Sequence, residues 1–148
     1  MKYKLLNADG QKTFALIMST GDEVAGCITQ FAKDQKISAA QFTGIGAFSS
    51  ATLGFFDVTR KEYKRIKISE QTEVLSLLGD ISTYKKEPKL HAHVVLGKED
   101  GSAHGGHLLD AIARPTVEII LTESPAHLKR EMDDRTGIPL IKIEDTPE

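Results

Sequence analysis

Hydrophobic and polar positions follow a helical period in the first quarter of the chain and a strand period after it. Thr13–Met18 is a short β-prone run, which predicts a strand. Apolar residues then recur at i, i+3, i+4 and i+7, a spacing that gives one apolar face on a helix: Val24, Cys27, Ile28 and Phe31. We therefore predict one main helix over residues 22–36. Thr20 and Glu23 have the spacing of a capping box, which predicts that Thr20 caps the start of this helix.

From Ala39 onward, short β-prone runs are separated by turn residues. The segment "AAQFTGIGAFSSATLGFFDV" holds two runs separated by Ser49 and Ser50. Five further runs are "EYKRIKI", "TEVLSLLGDIS", "LHAHVVLG", "GGHLLDAIA" and "TVEIILTE". The Asp100–Gly101 pair favours a tight hairpin turn. One helix and about seven mostly antiparallel strands predict an α+β fold. In the tail we predict a short helical turn before Gly137 and a last extended segment, Leu140–Ile143.

Composition and charge narrow the class of protein. The 148 residues suit a single domain, residues 1–148, and 40% hydrophobic with 27% charged residues is ordinary for a globular chain. The formal net charge of −2 provides no overall attraction to nucleic acid or anionic lipid. The single cysteine, Cys27, excludes an intrachain disulfide framework. No stretch has the ~18–20 apolar residues that cross a bilayer, and none has signal-peptide character, so we expect a cytoplasmic protein.

The segment Arg60–Lys67 concentrates positive charge in eight residues. Its cations are candidate contacts to nucleic-acid phosphates, and each such contact would make binding depend on salt. The alternative is a solvent-facing edge strand on which lysines prevent aggregation. The stretch has no aromatic residue besides Tyr63, which favours the second interpretation. The candidate nucleic-acid contacts are Arg60, Lys61, Lys64, Arg65 and Lys67.

Four of the five histidines lie between Lys89 and Leu108. In a strand, His91 and His93 point to the same face. If the next run returns as a hairpin partner, His104 or His107 joins them. Three imidazoles on adjacent strands are a candidate site for zinc or another divalent first-row ion, with a position left for water. The alternative is that these histidines only hydrogen-bond to neighbouring strands.

The order of three segments, "FTGIGAFSSATLGFFD", "EVLSLLGDIS" and "LHAHVVLGKEDGSAHGGHLLDAIARPTVEIILTE", resembles the PPC domain family, named for plants and prokaryotes. The resemblance covers about residues 13–123, and the tail, residues 124–148, is similar to that of prokaryotic single-domain members. It implies a compact α+β domain that assembles as a homotrimer. Plant members recruit partner proteins and bind DNA through a separate AT-hook. This chain lacks the Arg-Gly-Arg core of such a hook.

The resemblance also implies a metal site, because prokaryotic members often carry histidines like His91, His93 and His107. Three hypotheses follow. The first is a homotrimeric binding and assembly module with a protein partner and a divalent metal, such as zinc. The second is a small metal-dependent enzyme with Asp80 or Glu118 as its base. The third is a DNA-binding regulator that uses the basic stretch, residues 60–67.

Overall fold

The computed structural model describes residues 1–124 and 127–143, and these residues form one nine-stranded sheet with a single helix, α1 (Val24–Asp34). The α+β class is therefore confirmed. The strands are β1 (Lys2–Asn7), β2 (Thr13–Ser19), β3 (Ala40–Asp57), β4 (Glu62–Ile68), β5 (Thr72–Tyr84), β6 (Glu87–Gly97), β7 (Ala103–Glu123), β8 (Lys129–Asp133) and β9 (Ile138–Lys142). Across the described residues, no helix is long and apolar enough to cross a membrane.

Four strands pair into a closed ring. Strand β3 pairs with β5, β5 with β6, β6 with the first part of β7, and β7 with β3, all antiparallel. Side chains from these strands are fully buried, and α1 adds Ile28 and Phe31 to the same core. The closing pairing joins residues 93–97 of β6 to residues 103–107 of β7, so this part of β6 is paired on both sides, with β5 and with β7. This closure holds the faces of β6 and β7 in one fixed register.

The strand count differs from the prediction in two ways. The two runs around Ser49 and Ser50 are one continuous strand of 18 residues, β3, and the last two predicted runs are likewise one strand, β7. The glycines and serines had suggested breaks between strands. They lie instead near register shifts in the β3–β7 pairing, where the strand bends but continues. Strand β1 and the tail strands add to the sheet. One pairing, β5 with β8, is parallel, so the sheet is mixed rather than purely antiparallel.

The predicted capping box is wrong. Glu23, not Thr20, is the N-cap of α1, and its carboxylate accepts hydrogen bonds from the backbone N–H groups of Ala25 and Gly26. The Thr20 hydroxyl instead donates to the carbonyl of Pro115 at 3.2 Å. The reason is a turn after β2, in which the N–H of Asp22 bonds to the carbonyl of Ser19 and delays the helix start.

The tail forms a β-hairpin where a helical turn was predicted. Strands β8 and β9 pair antiparallel, and the carboxylate of Asp133 accepts from the N–H of Arg135 and the hydroxyl of Thr136 in the turn between them. Gly137 has a φ of +77°, which suits the end of this tight turn. The extended segment around Leu140 is confirmed as part of β9. Residues 125–126 and 144–148 of the predicted tail lie outside the described residues.

Gly46 of β3 lies against the backbone of β7, so we expect Gly46→Ala to destabilise the fold. It has a φ of +144°, and a Cβ there would lie 2.3 Å from the carbonyl oxygen of Thr116 and 2.8 Å from Cα of Val117. We expect a loss of about 3 kcal/mol or more in the free energy of unfolding, measured by urea denaturation. Gly101→Ala is the control, because Gly101 has a φ of +79° with open space around it. Its loss should be about 1–2 kcal/mol; equal losses would contradict the role of the β7 contact.

Candidate metal centre

Three histidines meet on the outer face of the strand ring. His91 and His93 project from the same face of β6, with buried Ala92 between them pointing to the core. His107 of β7 lies directly opposite His93 in the β6–β7 register. The three ring centroids are 5.1–5.5 Å apart, and one nitrogen from each ring lies within 4.8 Å of the other two. Zinc holds histidine nitrogens at ~2.0–2.1 Å, so the three rings would turn toward one another to bind one ion.

The register also places the other two histidines. His104 lies opposite Leu96, a core residue, so its alternation in β7 gives it the face opposite to that of His107. His127, in the tail, contacts the Ser38 hydroxyl through Nδ1. Of the four histidines between Lys89 and Leu108, the fold thus brings together His91, His93 and His107 and excludes His104.

Burial and neighbouring charges favour the neutral form of two rings of the cluster, His93 and His107. Burial, together with the neighbouring imidazoles of His91 and His93, lowers the pKa of His107 from 6.5 to about 4. Burial and the charge of His91 also lower the pKa of His93. Near neutral pH both rings therefore keep a lone pair available for an ion. Nδ1 of His107 is buried and has no hydrogen-bond partner among the described residues, an energetic cost that a bound ligand in the cluster offers a way to offset. These residues fit a borderline divalent metal.

A carboxylate supports the cluster from β5. Asp80 lies opposite His91 in the β5–β6 register, and its Oδ2 is 3.5 Å from Nδ1 of His91. Burial by itself would raise the pKa of Asp80. The hydrogen bonds from His91 and Arg130, together with the charge of Arg130, outweigh this effect, so the pKa is lowered. Asp80 is therefore ionised, and it stands where the outer partner of a metal-binding histidine usually stands.

An aromatic ring covers the other side of the cluster. Tyr63 of β4 stacks on His107, with centroids 4.9 Å apart and an interplanar angle of 28°. Gly54 of β3 makes this possible, because a Cβ there would lie 2.7 Å from Cδ1 of Tyr63. Burial raises the pKa of Tyr63. Sequence reasoning missed Tyr63 as a neighbour of the cluster. Its run, "EYKRIKI", comes two runs before that of His91 and His93 and three runs before that of His107.

The basic stretch lies on β4 and the turn before it, and β4 pairs only with β3 among the described strands. Arg60 lies 3.9 Å from Asp57 and 4.0 Å from Glu62, while Arg65 lies 3.1 Å from Asp110. Acidic neighbours therefore offset part of its positive charge. Lys61 donates to a backbone carbonyl of the tail turn, and Lys64 and Lys67 are exposed.

The outer face of the sheet also carries exposed apolar side chains that share one shallow depression. We call these residues the apolar patch: Ile17, Ile45, Leu75, Leu78 and Ile120. Their exposed fractions range from 39% to 61%, although each is a large hydrophobic residue. Leu78 lies opposite His93 in the register, so the apolar patch borders the histidine cluster. Glu118, the second candidate base, lines this depression rather than the cluster.

Comparison with known proteins places the chain in a family. The family model described as the Plants and Prokaryotes Conserved (PCC) domain matches residues 6–125. A plant- and prokaryote-conserved protein of Pyrococcus horikoshii is 31% identical, with a TM-score of 0.84 over 98% of this chain and 97% of its own. No curated protein matches the chain.

Two further solved structures are similar over nearly the whole chain. A metal-containing protein of Archaeoglobus fulgidus is 31% identical, with a TM-score of 0.83 over 96% of this chain and 97% of its own. A candidate DNA-binding protein of Bacteroides thetaiotaomicron is 27% identical, with a TM-score of 0.86 over 95% of this chain and 96% of its own. The fold is thus shared by proteins with differently described roles.

The lowered pKa of His107 predicts that the metal-free protein loses stability in acid. The pKa is about 4 in the folded chain and near its ordinary 6.5 in the unfolded chain, so between these values the unfolded chain binds more protons. In the presence of chelator, the free energy of unfolding should fall as pH decreases from 7.5 to 4.5. Urea titrations should show a shallower fall for His107→Gln, whereas His104→Gln should follow the wild type. Identical slopes for all three proteins would contradict this effect.

Proposed function

The chain belongs to the Plants and Prokaryotes Conserved (PCC) domain family, and we propose that it is an assembly and binding module that holds a divalent metal ion. The observation that carries the proposal is the meeting of His91, His93 and His107 on one face, with a nitrogen of each within 4.8 Å of the others. The metal-containing relative from Archaeoglobus fulgidus, similar over nearly the full length, supports it.

The ligand set favours zinc. Neutral imidazole suits zinc and its first-row neighbours, and hard ions such as Mg²⁺ prefer oxygen ligands. Three protein ligands leave a coordination position for water or a small ligand, as in zinc sites that take part in chemistry. Asp80 would orient His91, and Tyr63 would restrict the ring of His107. When bound in such a site, zinc lowers the pKa of a coordinated water toward neutrality.

We further propose that the apolar patch is buried in a homotrimer. Side chains such as Ile45 and Leu78, 61% and 55% exposed, would leave water on association, which is the main driving force of most protein interfaces. The patch borders His93 through Leu78, so assembly would place a neighbouring subunit beside the metal centre. The open coordination position would then face a cleft between subunits. A protein partner bound at that cleft is compatible with this arrangement.

A metal-dependent enzyme is the second candidate, and the open coordination position favours it. Of the two predicted bases, Asp80 is bonded to Arg130 and lies behind His91, which suits an orienting role better than proton abstraction. Glu118 lines the depression of the apolar patch. In such an enzyme, a water bound to the ion would therefore act as the base or nucleophile in place of these two carboxylates.

DNA binding is the third hypothesis. Its support is the candidate DNA-binding relative from Bacteroides thetaiotaomicron, together with the exposure of Lys64 and Lys67 on β4. Against it, Arg60 and Arg65 lie beside carboxylates of this chain. A trimer would present three copies of the stretch. Such binding would weaken steeply with salt.

We expect freshly purified, untagged protein to contain about one zinc ion per chain by elemental analysis. The double variant His91→Ala/His93→Ala should lose it, because one remaining imidazole cannot hold the ion. His104→Ala is the matched control, since it removes an imidazole of the same strand from the opposite face, and it should keep full occupancy. Chelation should lower the melting temperature of the wild type but leave that of the double variant unchanged.

The result that would contradict the metal proposal is wild-type protein without metal that also fails to bind added zinc in a chelator competition. In that case the histidines would only hydrogen-bond to neighbouring strands. The metal would then be removed from both the binding-module hypothesis and the enzyme hypothesis.

For the homotrimer, light scattering should give a molar mass three times the 16.2 kDa of the chain. Ile45→Asp places a charge in the middle of the apolar patch and should dissociate the assembly to monomers, because burying an unpaired carboxylate is costly. Val58→Asp is the control: Val58 is 60% exposed and lies in the turn between β3 and β4, away from the patch. A trimer that survives Ile45→Asp would place the interface elsewhere.

A further inference from the structure

We propose that Arg130, in the C-terminal hairpin, is a positioning residue for the metal centre, and that it acts through Asp80 on His91. The inference rests on the proposed metal site. It adds an energetic coupling between that site and the C-terminal hairpin, which contributes no ligand. It predicts that the hairpin β8–β9 and the bound ion stabilise each other, although no ligand belongs to the hairpin.

Arg130 is held on every side. Its side chain is only 6% exposed. Nε donates to the hydroxyl of Ser82 at 2.6 Å, and one terminal nitrogen donates to the carbonyl of Pro139 at 3.0 Å. The other terminal nitrogen, Nη2, lies 2.8 and 3.0 Å from the two oxygens of Asp80 and 3.3 Å from Nδ1 of His91. The guanidinium therefore links β9, β5 and the ligand strand β6.

These contacts set the tautomer of His91. A guanidinium has donors only, so Nη2 cannot accept a proton from Nδ1. The two hydrogens of Nη2 serve the shorter contacts to the oxygens of Asp80, at 2.8 and 3.0 Å, rather than the contact to Nδ1 at 3.3 Å. The carboxylate of Asp80, held in place by Arg130, is the acceptor within reach of Nδ1, at 3.5 Å. A proton held on Nδ1 leaves the lone pair on Nε2, which is then the nitrogen available to the ion. Outer carboxylate partners of this kind orient the ring and strengthen the ligand.

The same contacts hold the hairpin to the sheet. Strand β8 pairs with the sheet through a single residue pair, Thr83 and Lys129, supported by the bond from the N–H of Thr83 to the carbonyl of Leu128 at 2.7 Å. Arg130 adds a buried, charge-assisted link at the next residue. An ion that draws His91 into place favours the arrangement of Asp80 to which Arg130 binds. Coupling between two sites is reciprocal, so ion binding must also stabilise the docked hairpin.

A buried ion pair can be purely structural, and the experiment must separate that role from positioning. Zinc affinity is measured by competition with a chromophoric chelator for the wild type, Asp80→Asn, Arg130→Met, Arg130→Lys and the Asp80→Asn/Arg130→Met double variant. Arg135→Met is the control, because Arg135 lies in the hairpin turn and its side chain is 94% exposed. Circular dichroism verifies that each variant is folded.

We expect Asp80→Asn and Arg130→Met each to weaken zinc binding by about 10–100-fold. The double variant should be no weaker than the weaker single variant, because both changes interrupt one chain of contacts. Arg130→Lys should recover part of the affinity, and Arg135→Met should bind as the wild type does. Additive losses, or unchanged affinity in Arg130→Met, would overturn the inference while leaving the metal site intact.

Hydrogen exchange of the amides in residues 129–142 gives a readout that does not depend on the Arg130 variants folding. Zinc should slow this exchange in the wild type and in Arg135→Met, and it should have little effect in Asp80→Asn. Wild type that binds zinc without any slowing in the hairpin would refute the coupling alone. Wild type that binds no zinc would refute both the coupling and the proposed function.

Discussion

The antiparallel pairing of β6 with the first part of β7 is the constraint on which the rest of the structure depends. It closes the ring of strands, and it places His93 directly opposite His107. The turn that sets this register is short: the N–H of Gly101 bonds to the carbonyl of Lys98, and the N–H of Lys98 to the carbonyl of Ser102. A shift of one residue would turn His107 into the core and bring His104 to the outer face.

Much of this local arrangement was predictable. The period of two placed His91 and His93 on one face, and the Asp100–Gly101 pair identified the turn. The choice between His104 and His107 could not come from periodicity, because it depends on how many residues the turn consumes. The long strands were also beyond local patterns. Glycines and serines that resemble breaks become bulges when a neighbouring strand supplies the pairing on both sides.

Contacts between distant segments explain what the sequence did not reveal. Arg130 lies 50 residues from Asp80 in the chain, and nothing around it resembles a metal site. The tail was predicted to hold a short helical turn before Gly137 and a last extended segment, and neither pattern pairs Arg130 with Asp80. Tyr63 belongs to a basic stretch whose charges dominated its interpretation. Both residues reach the cluster only through the sheet topology, which brings β4 to one side of it and β8 to the other.

The closed ring has a consequence for how the centre is filled. Its core, which includes Phe48 and Leu96, is buried, and its strands are paired without any ion. In zinc fingers the chain folds only around the metal, so that loading and folding are one event. Here the scaffold is complete beforehand, and the histidines stand on its outer surface. The protein would be folded both before the ion binds and after it dissociates. Occupancy of the site would therefore depend on the concentration of available metal and not on whether metal was present when the chain folded.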